Sequence, residues 1–133
     1  MGPRKVLRMV LFLVFFLWLH FWLRLFLGDV AGSNAICNQG GPFGVFVPPW
    51  LLVVASIIGN TYFVFLWWRE KTWQSEWPWI LILSGGMGNL LERMLFGCIM
   101  DYVVLPLFPV FNIADVLLTL GVIGVFVNWR RNV

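Results

Sequence analysis

Residues 9–27 read MVLFLVFFLWLHFWLRLFL, nineteen positions in which His20 and Arg24 interrupt an otherwise unbroken apolar run. A helix of about 20 apolar residues is long enough to cross the hydrocarbon core of a bilayer, and this run decides the solvent in which the chain folds. Three further stretches have the same character, Val45 to Trp68, Trp77 to Ile99 and Phe111 to Trp129. The 133 residues are 61% hydrophobic and only 11% charged, with mean hydropathy +0.89; soluble domains carry roughly 25% charged residues. Little chain remains outside the four stretches. The expected fold is therefore an all-α integral membrane protein, residues 1–133 forming one domain of four transmembrane helices without internal repeats or a soluble domain.

Lys and Arg collect on the cytoplasmic side of short loops. Arg4, Lys5 and Arg8 precede the first span, Arg69 and Lys71 lie between the second and third, and Arg130 and Arg131 follow the fourth. The loops 28–44 and 100–110 contain no basic residue. Both termini are thus expected in the cytoplasm and both of those loops outside. The net charge of +3 reflects this asymmetry and some attraction to anionic lipid; it is not a nucleic-acid footprint. The basic start and small-residue stretch AGSNA also resemble a secretory signal, but the apolar run exceeds a signal's usual core of about 7–15 residues, so the first helix is read as a retained anchor.

Polar residues inside such spans stand out because a charge in the membrane costs a few kcal/mol, which makes it a functional candidate by default. His20 and Arg24 lie one turn apart on one helical face; the bland reading, that His20 fills a bundle contact and Arg24 snorkels to the outer interface, is favoured. In the third span, Ser84-Gly85-Gly86-Met87-Gly88-Asn89 packs three glycines into six residues. Taken alone this is a close helix crossing. Asn89 and Arg93 follow at i and i+4, and place donors on one face where they suit a carboxylate or a peptide carbonyl. Arg93 is adjacent to Glu92, but neighbouring helical residues diverge, so a different partner is expected.

Asp101 and Asp115 are the sharpest signal. They flank the outer loop in GCIMDY (97–102) and FPVFNIAD (108–115). Asn112 is placed as an N-cap for the fourth helix, and Asp115, in its first turn, meets the favourable end of the macrodipole. Capping alone does not account for Asp101. A loop of this length between antiparallel helices returns its ends to each other, bringing the carboxyl groups together. Two carboxyls a few ångströms apart share a proton. One then activates water while the other polarises a carbonyl, and the pair titrates as a unit.

GNLLER, GCIMDY and FPVFNIAD in this order, preceded by NQGGPFG at 38–44, resemble the motifs of the lipoprotein signal peptidases (signal peptidase II), membrane aspartic proteases of bacteria. The resemblance implies that Asp101 and Asp115 are the catalytic pair, that Asn38, Asn89, Arg93 and Asn112 line the site, and that Gly41 and Phe43 belong to an outer-loop motif that meets substrate. It implies a small β cradle at the outer face and cleavage of the signal peptide just before a diacylglyceryl-modified cysteine. The implied enzyme is a multi-pass protein of the bacterial inner membrane, working as a monomer on lipid-modified prolipoproteins entering from the bilayer. Two positions depart from the family pattern: His20 stands where an acidic residue is usual, and Glu92 where Asp is usual.

No cofactor is expected, since one histidine and two cysteines make no zinc-spaced cluster. Cys37 and Cys98 both map to the outer side, and apolar surroundings favour free thiols over a bridge. Two other classes fit less well. A non-catalytic lipid- or peptide-binding relative would keep the pair without turnover. A proton-coupled transporter component is disfavoured because both aspartates lie toward one face and not at the midplane.

Overall fold

The computed structural model describes residues 2–31, 35–40 and 46–131, with backbone only for 29–31. Four long helices follow in order: α1 (Pro3–Ala31), α2 (Pro49–Arg69), α3 (Trp73–Phe96) and α4 (Ile113–Arg131). Two three-residue strands, β1 (Ile36–Asn38) and β2 (Ile99–Asp101), lie between α1 and α2 and between α3 and α4.

The helix limits all differ from the expected spans, and at the start of α2 and the end of α3 local chemistry cuts the span short. The second helix begins at Pro49 and not at Val45, with Pro48 as its extended N-cap; the fixed φ and missing N–H of proline suit the first helical position. The third ends at Phe96, three residues before Ile99, because Gly97 takes the left-handed conformation at φ 74° and its N–H closes on the Arg93 carbonyl. That is the usual glycine stop. The chain beyond it is extended, so Asp101 is presented by a strand.

β2 pairs antiparallel with β1 in the register Ile36↔Asp101, Cys37↔Met100, Asn38↔Ile99. Asn38 is therefore diagonal to Asp101 on the same face of this ribbon. An isolated bridge between Val103 and Phe111 closes the loop that follows. The small β structure expected near the acids is thus present, as two strands.

α3 is the central helix, packing against α1, α2 and α4. The three glycines of its small-residue stretch each admit a different neighbour. A methyl group at Gly85 would collide with the Ala114 carbonyl at the start of α4, one at Gly86 with the Asn60 amide of α2, and one at Gly88 would press on the His20 ring of α1. Among the described residues, three helices are long and apolar enough to cross a membrane: α1 over Pro3–Gly28, α2 and α4. α3 is not among them. Three of its polar side chains, Glu76, Ser84 and Glu92, are turned inward and buried.

At the opposite end from the strands, Lys5 donates to the carbonyls of Trp67, Trp68 and Glu70 at the end of α2 and sits over the Trp67 ring. Arg8 meets buried Glu76 at 2.9 Å. These contacts tie α1 to the α2–α3 turn. Trp67 is itself 1% exposed, unlike Trp50, Trp68 and Trp129 on the outer surface.

The cysteines form a disulfide, Cys37–Cys98, which corrects the expectation of free thiols. The register of β1 against β2 is the reason: Cys37 lies opposite Met100, two residues from Cys98.

Candidate active site

Asp101 and Asp115 reach the site from different elements. Asp101 ends β2; Asp115 lies in the first turn of α4. Asn112 joins them. Its amide Nδ2 donates to Asp101 Oδ1 at 3.1 Å and to Asn89 Oδ1 at 3.2 Å, while its Oδ1 accepts the Asp115 N–H at 3.1 Å. The Asn112 N–H in turn donates to Asp115 Oδ2 at 3.2 Å. This reciprocal pattern is a capping box built from Asn-x-x-Asp, so Asn112 caps α4 as expected and bridges the two carboxyl groups as well.

The other oxygens are also held. Asn89 Nδ2 donates to Asp115 Oδ1 at 3.1 Å, and Asn38 Nδ2 donates to Asp101 Oδ2 at 3.2 Å. Asn38 Oδ1 accepts the Gly40 N–H at 3.1 Å, shaping the turn that brings the Gly40 carbonyl to Arg93. Arg93 donates to that carbonyl through Nη2 at 3.2 Å and interacts electrostatically with both aspartates. It has, as expected, a partner other than Glu92. Gly41 and Phe43 lie outside the described residues.

Asp101 is 6% exposed. Its burial disfavours the carboxylate and pushes its pKa up to about 6, helped by the nearby charges of Asp115 and Glu92 and opposed by the hydrogen bonds from Asn38 and Asn112. A carboxyl group with this pKa holds or releases a proton near neutral pH, as acid–base chemistry requires.

Two contributors were not read from the sequence. The Tyr102 hydroxyl accepts the N–H of Ile113 at 3.2 Å, satisfying an orphan donor at the start of α4; burial holds its pKa up to about 12, so the phenol stays neutral. The DY pair in the chain is the signal that could have found it. Glu92, noted from the sequence only as a departure from the family pattern, accepts the Met100 N–H through Oε2 at 2.6 Å, immediately before Asp101. Arg24 does not simply snorkel: its Nε lies 3.0 Å from Glu92.

Beside the aspartates lies a cavity of about 960 Å³. Its walls come from α2 (Ala55, Ser56, Gly59, Asn60), α4 (Val116, Thr119) and the loop residues Leu105 and Phe108, with Asn89 and Arg93 of α3 behind. α2 and α4 both pack on α3 but make no extensive contact with each other, which leaves this space between them. Among the described residues no group of His, Cys, Asp and Glu could hold a metal ion.

Apolar helices around a site of two bridged carboxyl groups define a helical membrane protein with a paired-acid centre at one end. The model of the Signal peptidase (SPase) II family matches residues 11–130, and the chain belongs to that family. Lipoprotein signal peptidases of Brucella ovis and Brucella canis are each 30% identical over 108 residues, covering 71% of this chain and 66% of theirs; the match spans just under two thirds of those relatives' length. Two solved bacterial membrane enzymes share the fold. One, determined in meso at 2.3 Å resolution, has TM-score 0.84 at 20% identity over 94% of this chain and 88% of its own. The other, at 1.9 Å, has TM-score 0.77 at 21% identity over 92% of each.

Proposed function

We propose that this chain is an intramembrane aspartic endopeptidase that removes signal peptides from diacylglyceryl-modified prolipoproteins, cutting before the lipidated cysteine. The observation that carries this reading is the bridge through Asn112: its side-chain amide donates to the Asp101 carboxyl and its backbone N–H to the Asp115 carboxyl, so one residue holds both carboxyl groups in one polar site. Family membership supplies the class of substrate. The apolar cavity beside the pair, open between α2 and α4, suits a lipidated transmembrane peptide arriving sideways from the bilayer.

In this reading the four helices all span, both termini are cytoplasmic and the site faces outward in the bacterial inner membrane. α3 crosses because its buried acids are paired within the bundle, Glu76 with Arg8 and Glu92 with Arg24. The pair shares one proton, and the burial of Asp101 favours the proton there. Asp115 then takes a proton from the attacking water, while protonated Asp101 polarises the scissile carbonyl. Asn38, Asn89 and Asn112 orient the carboxyl groups. Arg93 organises the turn at Gly40, and Gly41 and Phe43 just beyond it meet the substrate. The reaction proceeds in a single copy of the chain without a cofactor.

The test is cleavage by the purified chain in lipid of two synthetic peptides, identical except for the diacylglyceryl group, with products weighed by mass spectrometry. Cleavage of the lipidated peptide alone, at the bond before the cysteine, is expected. Equal cleavage of both removes lipid recognition from the account, and cleavage of neither, with both peptides binding, favours a non-catalytic relative.

A further inference from the structure

Glu92 is 0% exposed and His20 1% exposed. A carboxylate taken wholly out of water is unfavourable unless its oxygens are paired. Those of Glu92 are divided between two elements. Oε1 faces α1, 3.0 Å from Arg24 Nε and 3.3 Å from His20 Nε2. Oε2 faces β2 and accepts the Met100 N–H at 2.6 Å. The α1 side is itself well fixed. The His20 ring rests on Gly88, where a Cβ would crowd it, and Arg24 stacks 3.8 Å from the Phe96 ring centroid.

The strand at the other end of this link is short. β2 has three residues, and its middle N–H is directed at Glu92. Met100 precedes Asp101 and lies opposite Cys37, the neighbour of Asn38. Whatever fixes the Met100 amide fixes the height at which Asp101 meets Asn112 and Asn38. Gly97 turns the chain out of α3 between Glu92 and Met100, so the side chain must reach across that turn, and an Asp at 92 would be shorter by one C–C bond, about 1.5 Å.

We propose that Glu92 is a positioning residue for Asp101: clamped by Arg24 and His20 of α1, its carboxylate holds the Met100 amide and with it the strand that presents the acid. The departures at positions 20 and 92 are then one device, a longer acid reaching the strand and an imidazole, in place of a second carboxyl group, beside it. The inference rests on Asp101 being half of the catalytic pair, and its test separates the two.

Glu92→Leu, Glu92→Gln and wild type are compared in two measurements, steady-state cleavage of the lipidated peptide and amide hydrogen exchange at Met100. Glu92→Leu is expected to lower kcat ~10–100-fold with KM changed by less than about threefold, the scale of a misplaced catalytic group rather than of lost substrate binding. Glu92→Gln, which keeps an oxygen for the Met100 N–H, should recover part of that loss. Exchange at Met100 should rise in the order wild type, Gln, Leu. Wild-type kcat in both variants, or a loss that appears only in KM, overturns the proposal, as does unchanged Met100 exchange. Should Glu92→Leu not fold, Glu92→Gln decides by the same criteria. A wild-type chain that does not cleave overturns the proposed function, and the exchange measurement still decides whether Glu92 holds the strand.

Discussion

Asn112 does two jobs with one amide group, and the sequence disclosed only one of them. N-x-x-D at the head of an apolar segment is a helix-start signal because a short side chain there can accept free backbone N–H groups. That the same amide donates to Asp101 depends on β2 lying against the start of α4, which no local pattern encodes. Asn112→Ala is expected to cost about 1–2 kcal/mol of stability, at the upper end for an N-cap, and to lower cleavage more than this loss of folded protein accounts for. Thermal unfolding alongside a cleavage rate per folded molecule checks it. Asp101 carries a pH signature. Its pKa is raised from 3.8 to about 6 in the fold, so between these values the native state binds more protons than the unfolded one, and this group's contribution falls as pH rises from about 4 to 6. Asp101→Asn should abolish that component, seen as a flatter dependence of unfolding temperature on pH than wild type; parallel curves would contradict it.

The helices were legible in the sequence as elements and less so at their ends. A run of 20 apolar residues is detectable from composition, but the actual limits depend on single residues: Pro49 starts α2, and Gly97 stops α3 early enough to leave room for a strand. The ribbon of β1 and β2 is three residues per strand, too short for an alternating pattern to show, and it owes its existence to long-range pairing. The disulfide was missed for the same reason. Cys37 and Cys98 are 61 positions apart, and only the register of the ribbon brings them together. Replacing both by serine should destabilise the protein by about 2–4 kcal/mol and reduce cleavage, because Asn38 is next to Cys37 and would hold Asp101 less firmly. Unfolding temperature and cleavage rate measured with and without reductant check this; a reductant-insensitive wild type in which the bond is demonstrably reduced would contradict it.

Across the whole molecule, α3 organises what the other helices enclose. Its composition is the least apolar of the four, yet it sits at the centre, with glycines admitting α1, α2 and α4 and its buried acids Glu76 and Glu92 paired with basic side chains of α1. By length and composition the helices α1, α2 and α4 qualify as spans and α3 does not, short of the four expected from the sequence, whereas the Lys/Arg distribution calls for an even number. Reporter fusions at both ends and in the 71–72 turn are expected to read cytoplasmic, and one at 105–107 to read outside; termini on opposite faces would contradict the bundle. The convergence of the two acids was readable from motif order, since GNLLER, GCIMDY and FPVFNIAD put them at the ends of one loop. The hydrogen-bond network that joins them, and the anchoring of β2 by Glu92, needed the assembled fold. Whether the two aspartates together break a peptide bond is decided by cleavage of the diacylglyceryl-modified peptide by wild type, Asp101→Asn and Asp115→Asn, each confirmed folded by unfolding temperature and by binding of the uncleaved peptide. Asparagine keeps the shape of each side chain but cannot exchange the proton, so cleavage by wild type and its loss by at least about a thousandfold in each variant are expected, comparable with removal of an acid–base group. Full activity in either variant would contradict the paired-aspartate mechanism.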